Sequence, residues 1–296
     1  MEELKENLDN IDDEVNEEIE VKNEIVEEKS IDTEETVIKD FFIKETGVSL
    51  KEMAILFGQT EEEISKEYGS FKAKKVYAKL DYILEKPNIS YEDFKNKCQS
   101  ISSYGFKSIT VLPNFIGLSK DLLTPKKVQV KALISYPHGE EHHKVKVYSA
   151  RQALKLGADG LCVVVSTRMI RNGNYKLIVK NLKRIVKMAK NKPVTAILDA
   201  NLLSSFELDK ICKIISKECK LYSVMPYFFK EDNAKYEEVA KELKMSVNGK
   251  CHVDFGGEIS TVNETISLFT LGVNSISCKN SLDIASELNN KIISSV

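Results

Sequence analysis

Eight short runs rich in β-branched and aromatic residues recur between residue 76 and the C-terminus. The runs cover 76–84, 106–112, 128–136, 159–165, 193–199, 220–225, 250–255 and 274–278. Amphipathic stretches separate them, most clearly at 174–189, where Ile178, Leu182, Ile185 and Ala189 share one helical face. Eight strand–helix units in about 220 residues have the period of a (β/α)8 barrel, so the sequence predicts an α/β TIM barrel over 76–296. The alternative, a doubly wound open sheet, would bring a glycine-rich loop after its first strand, and none is present.

Residues 1–36 form an acidic segment ahead of the barrel. They hold 16 Asp and Glu against 3 Lys and Arg, with no Gly, Pro or aromatic residue. One apolar stripe recurs at helical spacing and consists of Leu4, Leu8, Ile11, Val15 and Ile19. Because the like charges repel one another, we predict that the segment is disordered alone or becomes a helix on binding a basic protein partner.

Residues 37–75 are predicted to form a small helical module. The stretch 50–69 resembles a helix-turn-helix unit, in which Ala54 lets two helices approach and Gly58 supplies the turn. The second helix of this unit begins with three glutamates at 61–63. Because acidic side chains repel phosphates, we interpret the unit as structural and do not expect nucleic acid as a partner.

The charge of the remaining chain bears on its ligands. Residues 37–296 hold 40 Lys and Arg against 29 Asp and Glu. Such a surplus suits small anionic ligands such as sugar phosphates, although a generally lysine-rich composition would produce the same number.

Features of membrane and secreted proteins are missing from the sequence. No apolar run approaches the ~18–20 residues of a membrane span, and the acidic N-terminus does not resemble a secretion signal. The six cysteines make no C-x-x-C pair, so we expect buried free thiols. These features predict a soluble, cytoplasmic protein with no membrane partner.

Short motifs stand at the ends of the predicted strands, where a barrel of this kind carries its chemistry. They are LDYILEKP at 80–87, GFKSITVLPNFI at 105–116, YPHG at 136–139, the Ala-Leu and Gly-Ala-Asp run within 153–159, and Gly-Gly at 256–257. In order and spacing they resemble deoxyribose-phosphate aldolase over about 76–280. The resemblance implies an aldehyde-lyase that cleaves 2-deoxyribose 5-phosphate to acetaldehyde and glyceraldehyde 3-phosphate, with no cofactor.

The resemblance also implies where the catalytic residues stand. The family's nucleophile is a strand-six lysine that forms a Schiff base, and a second cation on strand seven lowers its pKa. An ungapped match puts Met225 at the nucleophile position and Val253 at the second lysine, while Cys162 replaces a strand-four aspartate. No lysine lies from 221 to 229. Because the replacements cannot form an imine, tune an amine or shuttle a proton, the sequence predicts that Schiff-base chemistry is lost.

Part of the family's phosphate site is kept. Gly256 and Gly257 match the strand-seven pair, whereas the strand-eight Gly-(Thr/Ala)-Ser becomes Ser277, Cys278 and Lys279. Glycine lets backbone N–H groups approach an anion closely, and Lys279 adds a positive charge. We therefore expect a weak phosphate or sugar-phosphate site formed by Gly256, Gly257, Ser277 and Lys279.

Other residues offer substitutes for the missing chemistry. Asp81, Asp199 and Asp254 are expected to point toward the barrel mouth, where paired carboxylates could do acid–base work. Asp199 falls where the family carries a glutamate. Lys279 is the lysine expected near a strand end with access to the mouth, so a relocated Schiff base would use it.

Three histidines and two glutamates lie close together in the stretch 137–146. They are His138, Glu140, Glu141, His142 and His143. The family carries Pro-His-Gly here, and the other histidines fall in a polar loop. We expect no metal site.

Three functions stay open at this point. The first is a degenerate aldolase-like barrel that acts as a binding or scaffold protein, with a small anionic ligand, a protein partner for 1–36, and self-association as a further option. The second is an active lyase with relocated catalytic residues. The third is a metabolite-sensing regulator that uses 50–69.

Overall fold

The computed structural model describes residues 74–85, 88–123, 127–229 and 236–294, and within them eight parallel strands close into one barrel. The strands are β1 (Leu80–Leu84), β2 (Ser108–Val111), β3 (Gln129–Ile134), β4 (Gly160–Val164), β5 (Val194–Asp199), β6 (Ser223–Phe228), β7 (His252–Gly257) and β8 (Ser275–Cys278). Each strand pairs with the next along the chain, and β8 pairs with β1. The TIM barrel prediction is therefore confirmed.

Helices follow the strands and cover the outside of the barrel. They are α1 (Tyr91–Tyr104), α2 (Ile116–Leu123), α3 (His143–Lys155), α4 (Thr167–Arg171), α5 (Tyr175–Ala189), α6 (Ser205–Cys219), α7 (Tyr236–Val247), α8 (Val262–Thr270) and α9 (Ser281–Ser294). A short 3-10 helix, Pro113–Phe115, precedes α2. Helices α6 and α8 begin with capping boxes, Ser204 with Glu207 and Thr261 with Glu264, which fix where these helices start.

Side chains alternate between the two faces of each strand and so build two separate cores. The outward residues pack against the apolar faces of the helices, as Ile178, Leu182 and Ile185 of α5 do, and form the larger core. The inward residues fill the barrel itself. Because strands are buried on both sides, their sequences read as nearly continuous apolar runs rather than as alternating patterns.

Strand boundaries depart from the sequence prediction in three places that affect the site, one of which is the end of β7 at Gly257, two residues beyond the predicted end. β1 begins only at Leu80, since residues 74–77 are helical. β6 extends to Phe228, three residues beyond the predicted end. Residues 1–36, almost all of 37–75 and the motif residues Lys86 and Pro87 lie outside the described residues, so the predictions made for them stay predictions. None of the helices in the described ranges is long and apolar enough to cross a membrane.

Candidate active site

The barrel interior has a polar lower half and an apolar upper half. Near the N-terminal ends of the strands the buried inward residues are Ser108, Ser223 and Ser275, followed by Asp81, Lys131, Thr195 and Asp254. Toward the C-terminal ends, a separate hydrophobic cluster consists of Ile83, Leu133, Cys162, Val164, Ile197, Met225 and Tyr227. The charged groups therefore lie beneath an apolar layer.

Asp81 has the most side-chain partners among the polar residues inside the barrel. Its Oδ2 accepts hydrogen bonds from Thr110 Oγ1 and Ser277 Oγ, each at 2.7 Å, and the Nζ of Lys131 lies 4.0 Å from its Oδ1. Burial acts to lower the pKa of Lys131, but the carboxylates of Asp81 and Asp254 oppose it, and the pKa is raised. Lys131 is therefore a buried ammonium ion rather than a free amine.

A second polar chain crosses the lower barrel. Ser223 Oγ donates to Asp254 Oδ2 at 2.6 Å, and Thr195 Oγ1 lies 2.7 Å from Ser223 Oγ. The expectation that Asp81 and Asp254 point toward the mouth is wrong, because β1 and β7 each continue for three residues beyond the carboxylate. Asp199, in contrast, is the last residue of β5 and does lie at the mouth.

Two tyrosines and a glutamate close one side of the mouth. Tyr136 donates to Glu85 Oε2 at 2.7 Å, and Tyr227 donates to Glu85 Oε1. The ring of Phe229 packs on both tyrosines, with centroids 5.8 Å from Tyr136 and 4.7 Å from Tyr227. Burial and the Glu85 carboxylate raise the pKa of both phenols, so they stay neutral donors. We call this group the Tyr–Glu–Tyr cluster.

A cavity of about 580 Å³ opens on the other side of the mouth. Its lining includes His138, Arg168, Arg171 and Asp199. Burial raises the pKa of Asp199, although the N–H groups of Asn201 and Leu202, both at 3.1 Å from Oδ1, act in the opposite direction. The cavity is lined by both cationic and acidic side chains. Its lining is therefore not specific for anionic ligands.

Lys146 lies under the loop beside this cavity. Its Nζ donates to the carbonyl oxygens of Gly139 at 2.9 Å and Val164 at 2.7 Å. Burial lowers the pKa of Lys146 to about 8. The amine ties the turn after β3 to the end of β4, and its pKa is low enough to supply some neutral amine near pH 8.

The three histidines of 138–143 lie in two different places. The rings of His142 and His143 lie at the start of α3 with centroids 4.1 Å apart and planes tilted by 46°, whereas His138 lines the mouth cavity. Among the residues that the structure describes, no three His, Cys, Asp or Glu side chains converge as metal ligands.

Known aldolases resemble this chain in fold and, more weakly, in sequence. A solved aldolase named QR15 covers 74% of this chain and 97% of its own length, with a TM-score of 0.69 and 23% identity. The tetrameric deoxyribose phosphate aldolase of Aeropyrum pernix covers 77% of this chain and 98% of its own, with a TM-score of 0.65 and 19% identity. The deoxyribose-phosphate aldolase of Caldicellulosiruptor saccharolyticus is 28% identical over 218 residues, 72% of this chain and 99% of the relative. The chain is thus similar in sequence and in fold to deoxyribose-phosphate aldolases. It matches no family model.

The three residues that the motif match assigns to the aldolases' catalytic positions are all buried. Met225 is buried within the apolar cluster on β6. Cys162 lies in the same cluster, its Sγ 3.8 Å from Thr110 Oγ1, and burial raises the pKa of its thiol to about 11. Val253 packs outward into the helix-facing core, whereas its neighbour Asp254 faces the interior.

The residues matched to the aldolase phosphate site are partly engaged within the protein. Lys279 Nζ lies 2.5 Å from Glu258 Oε1, and Ser277 donates to Asp81 in the interior. Gly256 faces the Tyr227 ring, since a Cβ placed there would lie 2.5 Å from Tyr227 Cδ2. Gly257 has a positive φ of 119° and would bring any Cβ within 2.1 Å of the Phe228 carbonyl oxygen, so it needs to be glycine.

Sequence reasoning missed Lys131 and the Tyr–Glu–Tyr cluster. Lys131 alternates with outward Val130 and Ala132 in the run VQVKALI, so a strict two-residue period for β3 would have placed it inside the barrel. The cluster had no comparable signal, because Glu85 meets residues 51 and 142 positions away.

Proposed function

We propose that this aldolase-family barrel has lost Schiff-base aldol chemistry and acts as a binding or scaffold protein. The observation that carries the proposal is the inner face of β6, where Ser223, Met225 and Tyr227 stand in turn. A thioether, a hydroxyl and a phenol do not form an imine with a carbonyl. Loss of a covalent nucleophile removes the whole pathway rather than a part of its rate.

Lysines elsewhere in the barrel are poor replacements. Lys131 is kept charged beside Asp81 and lies below the apolar cluster. Lys279 forms an ion pair with Glu258. Lys146 is held by two carbonyl oxygens, but its pKa of about 8 is the observation that most favours the alternative, a lyase with a relocated nucleophile.

The binding role includes a weak site for phosphate or a sugar phosphate. Gly257 has a positive φ of 119°, a conformation that favours glycine and close approach of the backbone to an anion, and Lys279 follows β8, the strand that pairs with β7. Glu258 competes for the same ammonium. We therefore propose millimolar affinity with little discrimination by sugar. Self-association is part of the proposal and is supported by the tetrameric state of the Aeropyrum pernix relative.

Reductive trapping tests the loss of chemistry. The full chain is incubated with 2-deoxyribose 5-phosphate or acetaldehyde, reduced with borohydride and weighed by intact mass spectrometry. The Caldicellulosiruptor saccharolyticus aldolase, treated identically, is the positive control. We expect an adduct on the control alone. A stoichiometric adduct on this chain, mapped to Lys131, Lys146 or Lys279 and lost on its replacement by Met, would establish the lyase alternative.

Thermal shift with millimolar inorganic phosphate tests the anion site. We expect the melting temperature of the wild type to rise, and the rise to disappear in Lys279→Ala. Lys241→Ala, an exposed position on α7, is the matched control and should respond as the wild type does. An equal response of all three chains would remove the phosphate site from the proposal and leave the scaffold role.

A further inference from the structure

The net positive charge of the barrel comes from one segment of the chain. Residues 142–192 hold 13 Lys and Arg and a single acidic residue, Asp159, whereas the rest of 37–296 holds 27 basic and 28 acidic residues. A generally lysine-rich composition would spread the surplus over the whole domain. The surplus is therefore a local property of β4 and the helices around it.

Two neighbouring helices carry most of these charges outward. Helix α3 packs beside α5, and each buries its apolar face against the barrel. The opposite faces expose seven cations: Lys144, Arg151 and Lys155 on α3, and Lys176, Lys180, Arg184 and Lys187 on α5. We call this surface the α3–α5 face. From the helical rise of 1.5 Å per residue, each row of cations is about 16 Å long.

Little on this surface neutralises the charge. Neither α3 nor α5 contains an acidic residue, and Asp159 is already bound by Lys120 at 3.0 Å. Lys183 pairs with Glu218 of α6 and is therefore not counted among the seven cations. Within the described ranges, none of the seven has an ion-pair partner. His143 lies near cations of both helices. Desolvation lowers its pKa, and so do the charges of His142, Arg184, Lys144 and Lys180.

An aromatic ring lies among the cations. Tyr148 is 60% exposed and stands on α3 four residues after Lys144 and three before Arg151, so the three side chains share one helical face. An exposed aromatic ring flanked by cations is the arrangement on which single-stranded nucleic acids bind, because phosphates pair with the cations and bases stack on the ring.

We propose that the α3–α5 face binds single-stranded nucleic acid through its seven exposed cations and a base stacked on Tyr148. The residues of this face are not those of 50–69, on which the expectation against nucleic acid rested. It also lies outside the barrel mouth, so it is independent of the fate of the aldol chemistry. At the ~3.4 Å spacing of stacked nucleotides, a 16 Å row spans about five of them.

Fluorescence anisotropy with labelled 20-nucleotide single strands of RNA and of DNA tests the proposal on the full chain at 50–200 mM salt. We expect saturable binding to at least one of the two, with affinity that falls as salt rises. The triple variant Lys144→Glu, Lys180→Glu, Arg184→Glu should bind more than about tenfold more weakly and should lower the log–log salt slope by about 2, at ~0.7 per phosphate contact.

Two matched controls separate this face from general charge. Lys217→Glu, Lys241→Glu, Lys250→Glu changes the net charge equally at exposed positions elsewhere and should weaken binding by less than about threefold, because distant charges are screened. Tyr148→Ala should lower affinity about tenfold, whereas Tyr91→Ala, 55% exposed on α1, should not.

Several results would overturn the proposal. They are the absence of binding to both strands, equal losses in the two triple variants, and an unchanged affinity in Tyr148→Ala. If poly-glutamate displaces the labelled strand as effectively as unlabelled strand does, the face binds an acidic protein instead. Melting curves for every variant identify any loss that comes from unfolding.

Discussion

Lys131 of β3 and Asp81 of β1 face each other across β2 inside the barrel, with Nζ 4.0 Å from Oδ1 and side chains only 5% and 0% exposed. Lys131→Met removes the ammonium and leaves Asp81 and Asp254 buried with their charges uncompensated. We expect a loss of about 3–5 kcal/mol in the free energy of unfolding. Urea denaturation measures it.

An exposed ion pair is the control for this prediction. Lys213→Met breaks the pair with Asp209 on α6, where the lysine side chain is 61% exposed, and should cost less than about 1 kcal/mol. The double variant Lys131→Met, Asp81→Asn should recover part of the loss, because the carboxylate left unpaired is gone. Equal costs for Lys131→Met and Lys213→Met would show that the interior pair is not a buried charge pair.

Gly256→Ala should destabilise the barrel by about 1–3 kcal/mol, because the added methyl group overlaps the Tyr227 ring. The additional substitution Tyr227→Leu should relieve the overlap and restore part of the stability. Gly117→Ala is the matched control, since no atom lies within 4 Å of its Cβ and a helical alanine stabilises by about 0.5–1 kcal/mol over glycine. Thermal and urea unfolding of the four chains measure these stabilities. An unchanged stability of Gly256→Ala would contradict the close contact between position 256 and the Tyr227 ring.

Lys146 makes stability depend on alkaline pH. Its pKa is about 8 in the folded protein against 10.5 for an unperturbed lysine, so between these values the unfolded chain binds more protons. The cost of burying the charge is present below pH 8 and is relieved as the pH rises toward 10.5. The stability of the wild type relative to Lys146→Met should therefore increase from pH 8 to 10.5. A difference that stays flat, measured by urea unfolding at each pH, would place the pKa outside this window.

The Tyr–Glu–Tyr cluster should behave as one unit. Glu85→Ala removes the acceptor of the buried Tyr227 phenol and of the partly buried Tyr136 phenol, and we expect a loss of about 1–3 kcal/mol for the Tyr227 hydroxyl and a smaller loss for that of Tyr136. When Tyr136→Phe and Tyr227→Phe are already in place, the same glutamate substitution should cost much less. A mutant cycle by urea denaturation measures the coupling, and additive losses would mean that the three groups act separately.

The fold could be predicted from the sequence because its signal is local and repeated. Each strand of the barrel is buried on both faces and each helix on one, so the two patterns alternate visibly along the chain. Details of strand length were not predicted. β7 continues past Asp254 to Gly257, and that extension places the carboxylate below the apolar cluster rather than at the mouth.

The site was harder to predict because its residues meet only through the barrel. The motif match assigns Met225 to the sixth strand and Cys162 to the fourth, and both residues are buried among apolar side chains. Lys131 lies in a run that reads as an ordinary strand, where an inward lysine and a surface lysine look alike. Glu85 contacts Tyr136, in the turn after β3, and Tyr227 on β6, and nothing near Glu85 in the sequence predicts these contacts.

The hydrogen bonds around Asp81 also set the order in which the chain can be completed. Ser277 and Ser281 donate to the carboxylate and the backbone carbonyl of Asp81 across 196 and 200 residues of chain. During synthesis the first strand leaves the ribosome well before its partners exist, since translation adds about 5–20 residues per second. Until β8 has emerged, β1 has an open edge and its aspartate lacks two of its donors. A nascent chain stalled before residue 275 cannot close the cylinder, and it offers chaperones an unpaired strand on each side of the gap.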